Sequence, residues 1–394
     1  MLSRCTWSLL FLFFWACTPE GAEPEIKPSP PLDPNFQFGQ VNLVQENWQN
    51  TPLVVVASVE FLEPNVDADL DGDLNQNLRW NFAMAFDRRI DDVVLSFQPV
   101  DGQLPIVMED TEGNRWDFWG RAISGPRQGA QLNWLNSGLG YWFTFGTLYD
   151  GPDIYLATAG PQVEKASPAP NWDVPTQTIV DAAGFNAIPA LDEPVFAKAK
   201  DPAVSNYLDA AEMIVGIQSG EEVRAYPHPI LDWHEIVNDS KGEDHWTLSY
   251  CPLTGTSKAY QRNTESENTF GVSGFLYDSN LMPYDRISES IWLQLEGRAV
   301  HGARRGERLT LRPFIEMPWE LWQSIYPKAS VLSSQTGFAR DYTSYPYGDY
   351  RTNNDFIFSS ILYLDDRLPA KERVFSVIVD GQAKVYRKTH FGNR

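Results

Sequence analysis

The amino-acid sequence predicts a β-rich α+β fold with two similar lobes from an internal duplication and few, short helices. Three observations support this prediction. Several runs of β-branched and aromatic residues are bounded by Gly, Pro or Asp, as strands are. Only short stretches have a helical residue pattern, and one segment recurs at a fixed spacing. The 394 residues are 43% hydrophobic and 13% aromatic, which provides ample core and argues against disorder.

Six segments are predicted to be strands, because each combines β-branched or aromatic residues with turn-forming neighbours. They are residues 53–61, 91–97, 213–218, 222–226, 245–250 and 373–380. Helices are predicted at residues 141–149, 229–239 and 318–326. In the second helix, Pro229 suits the first turn, where its missing N–H costs nothing. The C-terminal segment 380–388 is expected to complete a sheet as a strand.

An internal repeat predicts the two lobes. Residues 120–132 match residues 297–309 at seven of thirteen positions, at a constant spacing of 177. The same spacing relates Ser96 to Ser273, Asp101 to Asp278, Leu104 to Leu281, Trp142 to Trp319 and Tyr149 to Tyr326. We therefore expect a degenerate first lobe at 36–180, and a second lobe with a C-terminal strand segment at 181–394.

The N-terminus has the pattern of a secretory signal. Arg4 supplies the positive charge, and a short apolar run follows at 7–15. The pattern resembles that of bacterial lipoproteins, in which residues 1–16 are removed and Cys17 receives the lipid. Residues 17–35 are rich in Pro and acidic residues, which predicts a disordered tether. An ordinary signal peptide cleaved nearby is the alternative.

Charge and the signal pattern together predict where the protein acts. A formal net charge of −21 repels nucleic-acid phosphates, so no nucleic-acid partner is expected. The expected membrane contact is the N-terminal lipid anchor. Thr18 follows the lipidated cysteine in place of the aspartate that marks inner-membrane retention. The predicted location is therefore the cell envelope, at the outer membrane or the periplasmic face.

The chemically reactive side chains are concentrated between Arg224 and Asp285. This span holds three of the five histidines and Cys251, whereas both other cysteines lie within residues 1–17. The matching part of the first lobe has neither His nor Cys. His234 and Asn238 are four residues apart on a predicted helix and would share a face. The asymmetry predicts a functional site in the second lobe.

The second lobe resembles the DUF3179 family in three motifs: AYPHPILDWHEIVND, LSYCPLTGT and FGVSGFLYDSNLMPYD. Family members are extracytoplasmic bacterial and archaeal proteins without an assigned activity, and the resemblance is best over about residues 185–345. It implies a ligand pocket, to which Asn238 would also contribute. The matching polar residues are Ser273, Tyr284, Asp285 and Gln294. Thr254 replaces a second cysteine found in many relatives, which removes C-x-x-C chemistry.

His234 and Cys251 leave three interpretations open. Both side chains could be ligands of a soft transition metal such as copper, together with another His or Met282. Alternatively, His234 activates the Cys251 thiolate as a catalytic nucleophile. In the third interpretation the thiol is inert and the histidine is a buried structural group.

The first lobe contains half of an EF-hand-like calcium loop. Oxygen-bearing side chains follow the spacing of such a loop, with Gly72 at its turn position. They are Asp67, Asp69, Asp71, Asp73 and Asn75. Leu78 stands where the bidentate Glu would be, so weak Ca²⁺ binding outside the cytosol is predicted. A solvated acidic loop is the alternative.

Together these patterns predict a cell-envelope lipoprotein that binds a metal or a small ligand. One alternative is a hydrolase or transferase that depends on the cysteine and the histidine. Another is a structural or surface-binding module, stabilised by Ca²⁺, whose aromatic side chains bind a glycan or a partner. The sequence leaves open whether the protein is an enzyme.

Overall fold

The computed structural model describes residues 40–61, 78–157, 160, 166–262, 268–358, 361 and 363–392. The strands before residue 182 are β1 (Val41–Trp48), β2 (Thr51–Phe61), β3 (Leu78–Asp87), β4 (Arg89–Ile90), β5 (Val93–Val94), β6 (Phe97–Pro99), β7 (Ile106–Asp110), β8 (Arg115–Asp117), β9 (Ala122–Ser124), β10 (Asn133–Trp134), β11 (Asn136–Tyr141), β12 (Asp153–Ile154) and β13 (Ile179–Asp181).

The later strands are β14 (Leu191–Asp192), β15 (Phe196–Ala197), β16 (Met213–Ser219), β17 (Glu222–Pro227), β18 (Ile236–Lys241), β19 (Asp244–Cys251), β20 (Thr256–Arg262), β21 (Phe270–Tyr277), β22 (Asn280–Asp285), β23 (Ile291–Leu293), β24 (Arg298–His301), β25 (Leu311–Arg312), β26 (Ile315–Pro318), β27 (Ser330–Leu332), β28 (Arg373–Val379) and β29 (Gln382–Tyr386). The α-helices in the described ranges are α1 (Trp142–Leu148), α2 (Pro202–Ser205), α3 (His228–His234) and α4 (Trp319–Ile325). The predicted β-rich fold with few short helices is confirmed.

The strands form several small sheets. Apart from the β4-β5 pair, their orders are β1-β2-β3-β10, β6-β7-β8-β9, β11-β28-β29-β12, β13-β21-β22-β23-β24, β14-β18-β19-β20-β25 and β15-β27-β17-β16-β26. The C-terminal hairpin β28-β29 completes a sheet with β11 and β12, which lie in the predicted first lobe. Strand pairing therefore crosses the predicted lobe boundary.

Two sheets share one strand order and one sense of pairing. In the first, β28 is antiparallel to β11 and β29, and β29 is parallel to β12. In the second, β16 is antiparallel to β26 and β17, and β17 is parallel to β27. A seven-residue helix that begins with Trp follows β11 and β26 alike. A duplication would produce this match, although the duplication itself stays a prediction.

The core is continuous across the two predicted lobes. One cluster of buried residues includes Phe86 and Trp116 from the first and Ile214 from the second. The Phe118 ring packs edge-on against Tyr326, with centroids 6.1 Å apart. Each large side chain buried in this way contributes about 1.5–3 kcal/mol, so the two parts stabilise one another. No helix in the described ranges is long and apolar enough to span a membrane.

The helix predicted at 229–239 ends earlier, and the prediction is wrong beyond His234. Glu235 adopts a φ of 57°, which stops the helix. Ile236 and the residues after it form β18, which pairs antiparallel with β19. Two successive β-branched residues favour a strand once a partner strand is present. Asn238 therefore lies on a strand and does not share a helix face with His234.

Candidate functional site

A cavity of about 300 Å³ lies between α3 and two loop segments. One segment precedes β16, and the other is the tyrosine-rich stretch that follows β27. The polar walls come from Asp209, Glu212, Asp232, Tyr342, Tyr345 and Arg351. We call this cavity the α3 pocket. Its size and its mixture of aromatic and charged groups are those of a small-molecule site.

An ion pair between Asp232 and Arg351 lies in the wall of the α3 pocket. Nη2 of Arg351 donates to both carboxylate oxygens of Asp232, at 2.7 and 2.8 Å. The two side chains are only 3% and 12% exposed. The Tyr345 ring lies against the guanidinium, whose carbon is 4.0 Å from the ring centroid. Burial raises the pKa of Asp232 to about 6, so its carboxylate is mostly ionised at neutral pH.

One polar group beside this pair lacks a partner among the described residues. All hydrogen bonds that Arg351 donates to described residues use Nη2. The Tyr345 hydroxyl is buried and has no hydrogen-bond partner in the described part of the chain. A buried polar group without a partner costs about 1–3 kcal/mol and is uncommon.

Glu212 adds a second carboxyl group to the α3 pocket. Its backbone carbonyl accepts from Trp319 N at 2.8 Å, which ties it to the start of α4. Burial raises the pKa of Glu212 to about 7, with a further rise from Asp232 and Asp209 and an opposing effect of Arg351. About half of this side chain is ionised at neutral pH. A positive group in the pocket would favour its charged form.

His234, a predicted site residue, is not among the residues that line the α3 pocket, but it bonds to Tyr342, which is. It is fully buried at the end of α3, and its Nδ1 lies 2.8 Å from the Pro189 carbonyl. Because a carbonyl only accepts, Nδ1 carries the proton. Burial lowers the pKa of His234 to about 4, so the ring is neutral and Nε2 accepts from the Tyr342 hydroxyl at 2.7 Å. His234 thus fixes Tyr342, and coordination of a metal would displace one of these bonds.

Cys251, the other central prediction, is buried at the end of β19. The thiol donates to the Ser279 carbonyl at 3.6 Å. Burial raises the pKa of Cys251 to about 11, with a further rise from Glu235. The thiolate is the nucleophile in cysteine chemistry, and almost none of it is present at neutral pH. Among described contacts, no hydrogen bond joins Cys251 to His234.

We expect Cys251 to be inert in the native protein. Iodoacetamide at about pH 7.5 should label it fully in denaturant and scarcely at all in the folded state, because the thiol is protonated and enclosed. Mass spectrometry of the labelled chain measures the rate of labelling in the folded state and in denaturant. Native labelling as fast as that of a free thiol would instead favour the nucleophile hypothesis.

The polar atoms of Asn238 are all engaged between strands. Its Nδ2 donates to Asp192 Oδ1 and to the Phe270 carbonyl, each at 2.8 Å. Its Oδ1 accepts from Thr247 Oγ1 at 2.7 Å and from Phe270 N at 3.0 Å. These four bonds complete the hydrogen-bonding capacity of the amide group. In the structure Asn238 joins β14, β18, β19 and β21.

Three more predicted ligand residues are buried and bond within the sheets. Ser273 Oγ donates to the Met282 carbonyl at 2.5 Å. The Tyr284 hydroxyl accepts from Asn186 Nδ2 at 2.7 Å and lies 2.9 Å from Asn186 Oδ1. Gln294 Oε1 accepts from Thr256 Oγ1 and Asn280 Nδ2 at 2.8 Å each. The structure does not bring these three into the α3 pocket, and their role toward a ligand stays a prediction.

Asp285, the last of these residues, has a counterpart in the first half of the chain. Its Oδ2 accepts from Trp292 Nε1 at 2.9 Å. Asp110 Oδ2 accepts from Trp116 Nε1 at 3.0 Å in the corresponding place. The first half lacks the reactive residues, so a shared Asp–Trp bond indicates that the pair stabilises a turn in both.

Some predicted residues lie outside the described part of the chain. These are Cys17 and the calcium-loop residues Asp67, Asp69, Asp71, Asp73 and Asn75. Within the described ranges, no three His, Cys, Asp or Glu side chains are grouped in a way that could hold a metal ion. The calcium and copper sites stay predictions.

The residues that line the α3 pocket were not predicted from the sequence. Asp232 lies inside the motif that resembles the family, two residues before His234. Arg351 ends the segment DYTSYPYGDYR, in which four tyrosines fall within eleven residues. Such a density of tyrosine in a loop region is the signal that could have drawn attention to the pocket.

The fold and the pocket define a β-rich structure in which a small polar cavity lies between one short helix and two loops. The chain belongs to the DUF3179 family, described as a protein of unknown function, whose model matches residues 185–393. That match includes all the residues named above for the α3 pocket as well as the C-terminal hairpin. No curated protein and no solved structure matches the chain.

Proposed function

We propose that the protein binds a small amine-bearing ligand in the α3 pocket. The observation that carries the proposal is the presence of carboxyl groups on the half-buried Glu212 and the buried Asp232, with Arg351 as the one cation among the described lining residues. Asp209 adds another carboxyl group to the lining. An excess of negative charge in a partly enclosed cavity attracts a positive ligand, because water screens the attraction only weakly there.

The pocket is also preorganised for binding. Arg351 holds Asp232 through a two-point contact, and Tyr345 packs on the guanidinium. The Tyr342 hydroxyl donates to His234 Nε2, and its oxygen lies 2.6 Å from Thr336 Oγ1. Side chains that are already fixed lose little conformational entropy when a ligand binds. His234 is thereby a positioning residue in this proposal, and its predicted roles as a metal ligand or a base stay predictions.

The proposal predicts that charge decides which ligands bind. Two ligands of the same four-carbon length, 1,4-diaminobutane and butanedioate, test this. The diamine should raise the Tm by about 2–4 °C at saturating concentration, and the dicarboxylate should have no effect. Glu212→Gln removes one carboxylate at nearly constant shape, so it should abolish most of the shift.

Glu221→Gln is the matched control, because Glu221 is exposed and lies outside the pocket. It should respond to the diamine as the wild type does. Equal shifts with both ligands, or an unchanged diamine shift in Glu212→Gln, would contradict the proposal.

The cell-envelope location is part of the same proposal. It rests on the signal pattern at residues 1–16 and on Cys17, which would receive the lipid. A Cys17→Ser variant should lose incorporation of a labelled fatty acid and leave the membrane fraction. Fatty-acid labelling that persists in this variant would place the lipid on another residue and contradict the assignment to Cys17.

A further inference from the structure

A second cleft, of about 590 Å³, lies on another part of the surface, where β10 and the turn before it meet β25 and the start of β19. Its walls combine two indole rings with planar polar groups: Trp119, Gln131, Trp134, Gln218, Gln261 and Arg312. We call it the tryptophan cleft. It shares no lining residue with the α3 pocket.

Amide side chains of the tryptophan cleft are held in fixed orientations. Gln261 Nε2 donates to Asp244 Oδ1 at 2.9 Å, and its Oε1 accepts from Arg312 Nη1 at 2.9 Å. Gln131 is exposed, and its Nε2 donates to the Trp119 carbonyl at 2.8 Å. Its Oε1 accepts no hydrogen bond from the described residues, which leaves this oxygen for a ligand.

The charges in the tryptophan cleft are largely neutralised. Arg312 donates from two nitrogens to the two oxygens of Asp244, at 2.7 Å each. The guanidinium also lies over Trp246, 4.5 Å from the ring centroid. Arg121 at the edge is half-exposed and lies 4.0 Å from Asp117. The cleft therefore offers hydrogen-bonding groups without a strong net charge.

We propose that the tryptophan cleft binds a neutral carbohydrate. A sugar ring has an apolar face of C–H groups, which packs on an indole ring, and a rim of hydroxyls that both donate and accept. Trp134 is partly exposed and supplies most of the apolar surface, whereas Trp119 in the same lining is only 8% exposed. For sugar hydroxyls, Gln131 Oε1 supplies an acceptor and Gln261 Nε2 retains one N–H donor, while the Asp244–Arg312 pair holds Gln261 in place.

Calorimetric titration with three probes tests this proposal: maltotriose, N,N′-diacetylchitobiose and digalacturonate. One of the two neutral sugars should bind with a Kd of about 1 mM or below. Trp134→Ala should weaken that binding by about tenfold or more, and Gln131→Ala should weaken it less. Trp172→Ala is the matched control, because Trp172 is also half-buried but stacks on His301 away from the cleft.

Three results would overturn the proposal. The first is the absence of binding by both neutral sugars at about 20 mM. The second is binding that Trp134→Ala leaves unchanged or that Trp172→Ala weakens equally. The third is a preference for digalacturonate that disappears in Arg121→Gln, which would assign the cleft to anions. Diamine binding in the α3 pocket is independent of each result, so failure of one proposal does not affect the other.

Discussion

Arg351→Ala should lower the free energy of unfolding by about 3–5 kcal/mol near neutral pH. The substitution leaves the Asp232 carboxylate buried without its cation, and removal of one member of a buried ion pair has this cost. Without Arg351, the pKa of Asp232 should rise further above its unfolded value. The folded variant then binds more protons than the unfolded chain, so its stability falls as pH increases. The deficit relative to wild type should therefore be smaller at about pH 4 than at about pH 8.

Urea denaturation at several pH values measures this effect. Arg305→Ala is the control, since Arg305 is 45% exposed and its contact with Asp173 is 3.4 Å long. It should change stability by less than about 1 kcal/mol. The double variant Arg351→Ala/Asp232→Ala should recover part of the loss, because no unpaired charge remains. A loss in Arg351→Ala no larger than in Arg305→Ala would contradict a tightly coupled pair.

Glu316→Ala should have an effect of similar size, about 3–5 kcal/mol. Glu316 lies on β26 and is fully buried. Its Oε1 accepts from Arg373 Nη2 at 3.2 Å and lies 3.1 Å from His228 Nε2. Arg373 belongs to the C-terminal strand β28, so this carboxylate joins three separate parts of the chain. Its loss removes the negative charge that offsets the buried guanidinium.

Glu307→Ala provides the comparison for Glu316. Glu307 is 53% exposed and pairs with Arg304 at 2.9 Å, so its removal should cost less than about 1 kcal/mol. Urea denaturation of both variants, monitored by tryptophan fluorescence, measures their free energies of unfolding. Equal, small losses would show that the buried network contributes no more than a surface pair.

Five of the six segments predicted as strands each form one strand, whereas 91–97 contains only β5 and the first residue of β6, and most of the shorter strands were not predicted. The Val-rich run of β2 and the apolar run of β16 form strands because their side chains fit a buried pleated surface. The end of α3 at His234 was not predicted, because it depends on a contact between residues that are distant in the sequence. The Glu235 carbonyl accepts from Tyr250 N on β19 at 2.7 Å, and this long-range bond stabilises the left-handed turn. A residue pattern over a few positions contains no information about that partner.

The candidate site was only partly predictable. The motif that resembles the family contains Asp232, which lines the α3 pocket, and His234, which bonds to Tyr342 in its lining. The pocket requires Arg351, which is 119 residues from Asp232 in the chain, and Glu212, which precedes β16. Only the arrangement of the strands brings these segments together. By contrast, among the polar residues that the resemblance selected, Asn238 and Gln294 form hydrogen bonds between two sheets, and Ser273 and Asp285 form them within one sheet.

Proton release on diamine binding tests the central claim most directly. Glu212 has a pKa raised to about 7, so at about pH 6.5 it is mostly protonated in the free protein. An ammonium group favours the carboxylate and should displace up to about one proton. Calorimetric titration of 1,4-diaminobutane in two buffers of different ionisation enthalpy measures that number. We expect release at about pH 6.5, little at about pH 8.5 where Glu212 is already ionised, and none in Glu212→Gln. Binding without proton release at either pH, or release that persists in Glu212→Gln, would contradict an amine site in the α3 pocket.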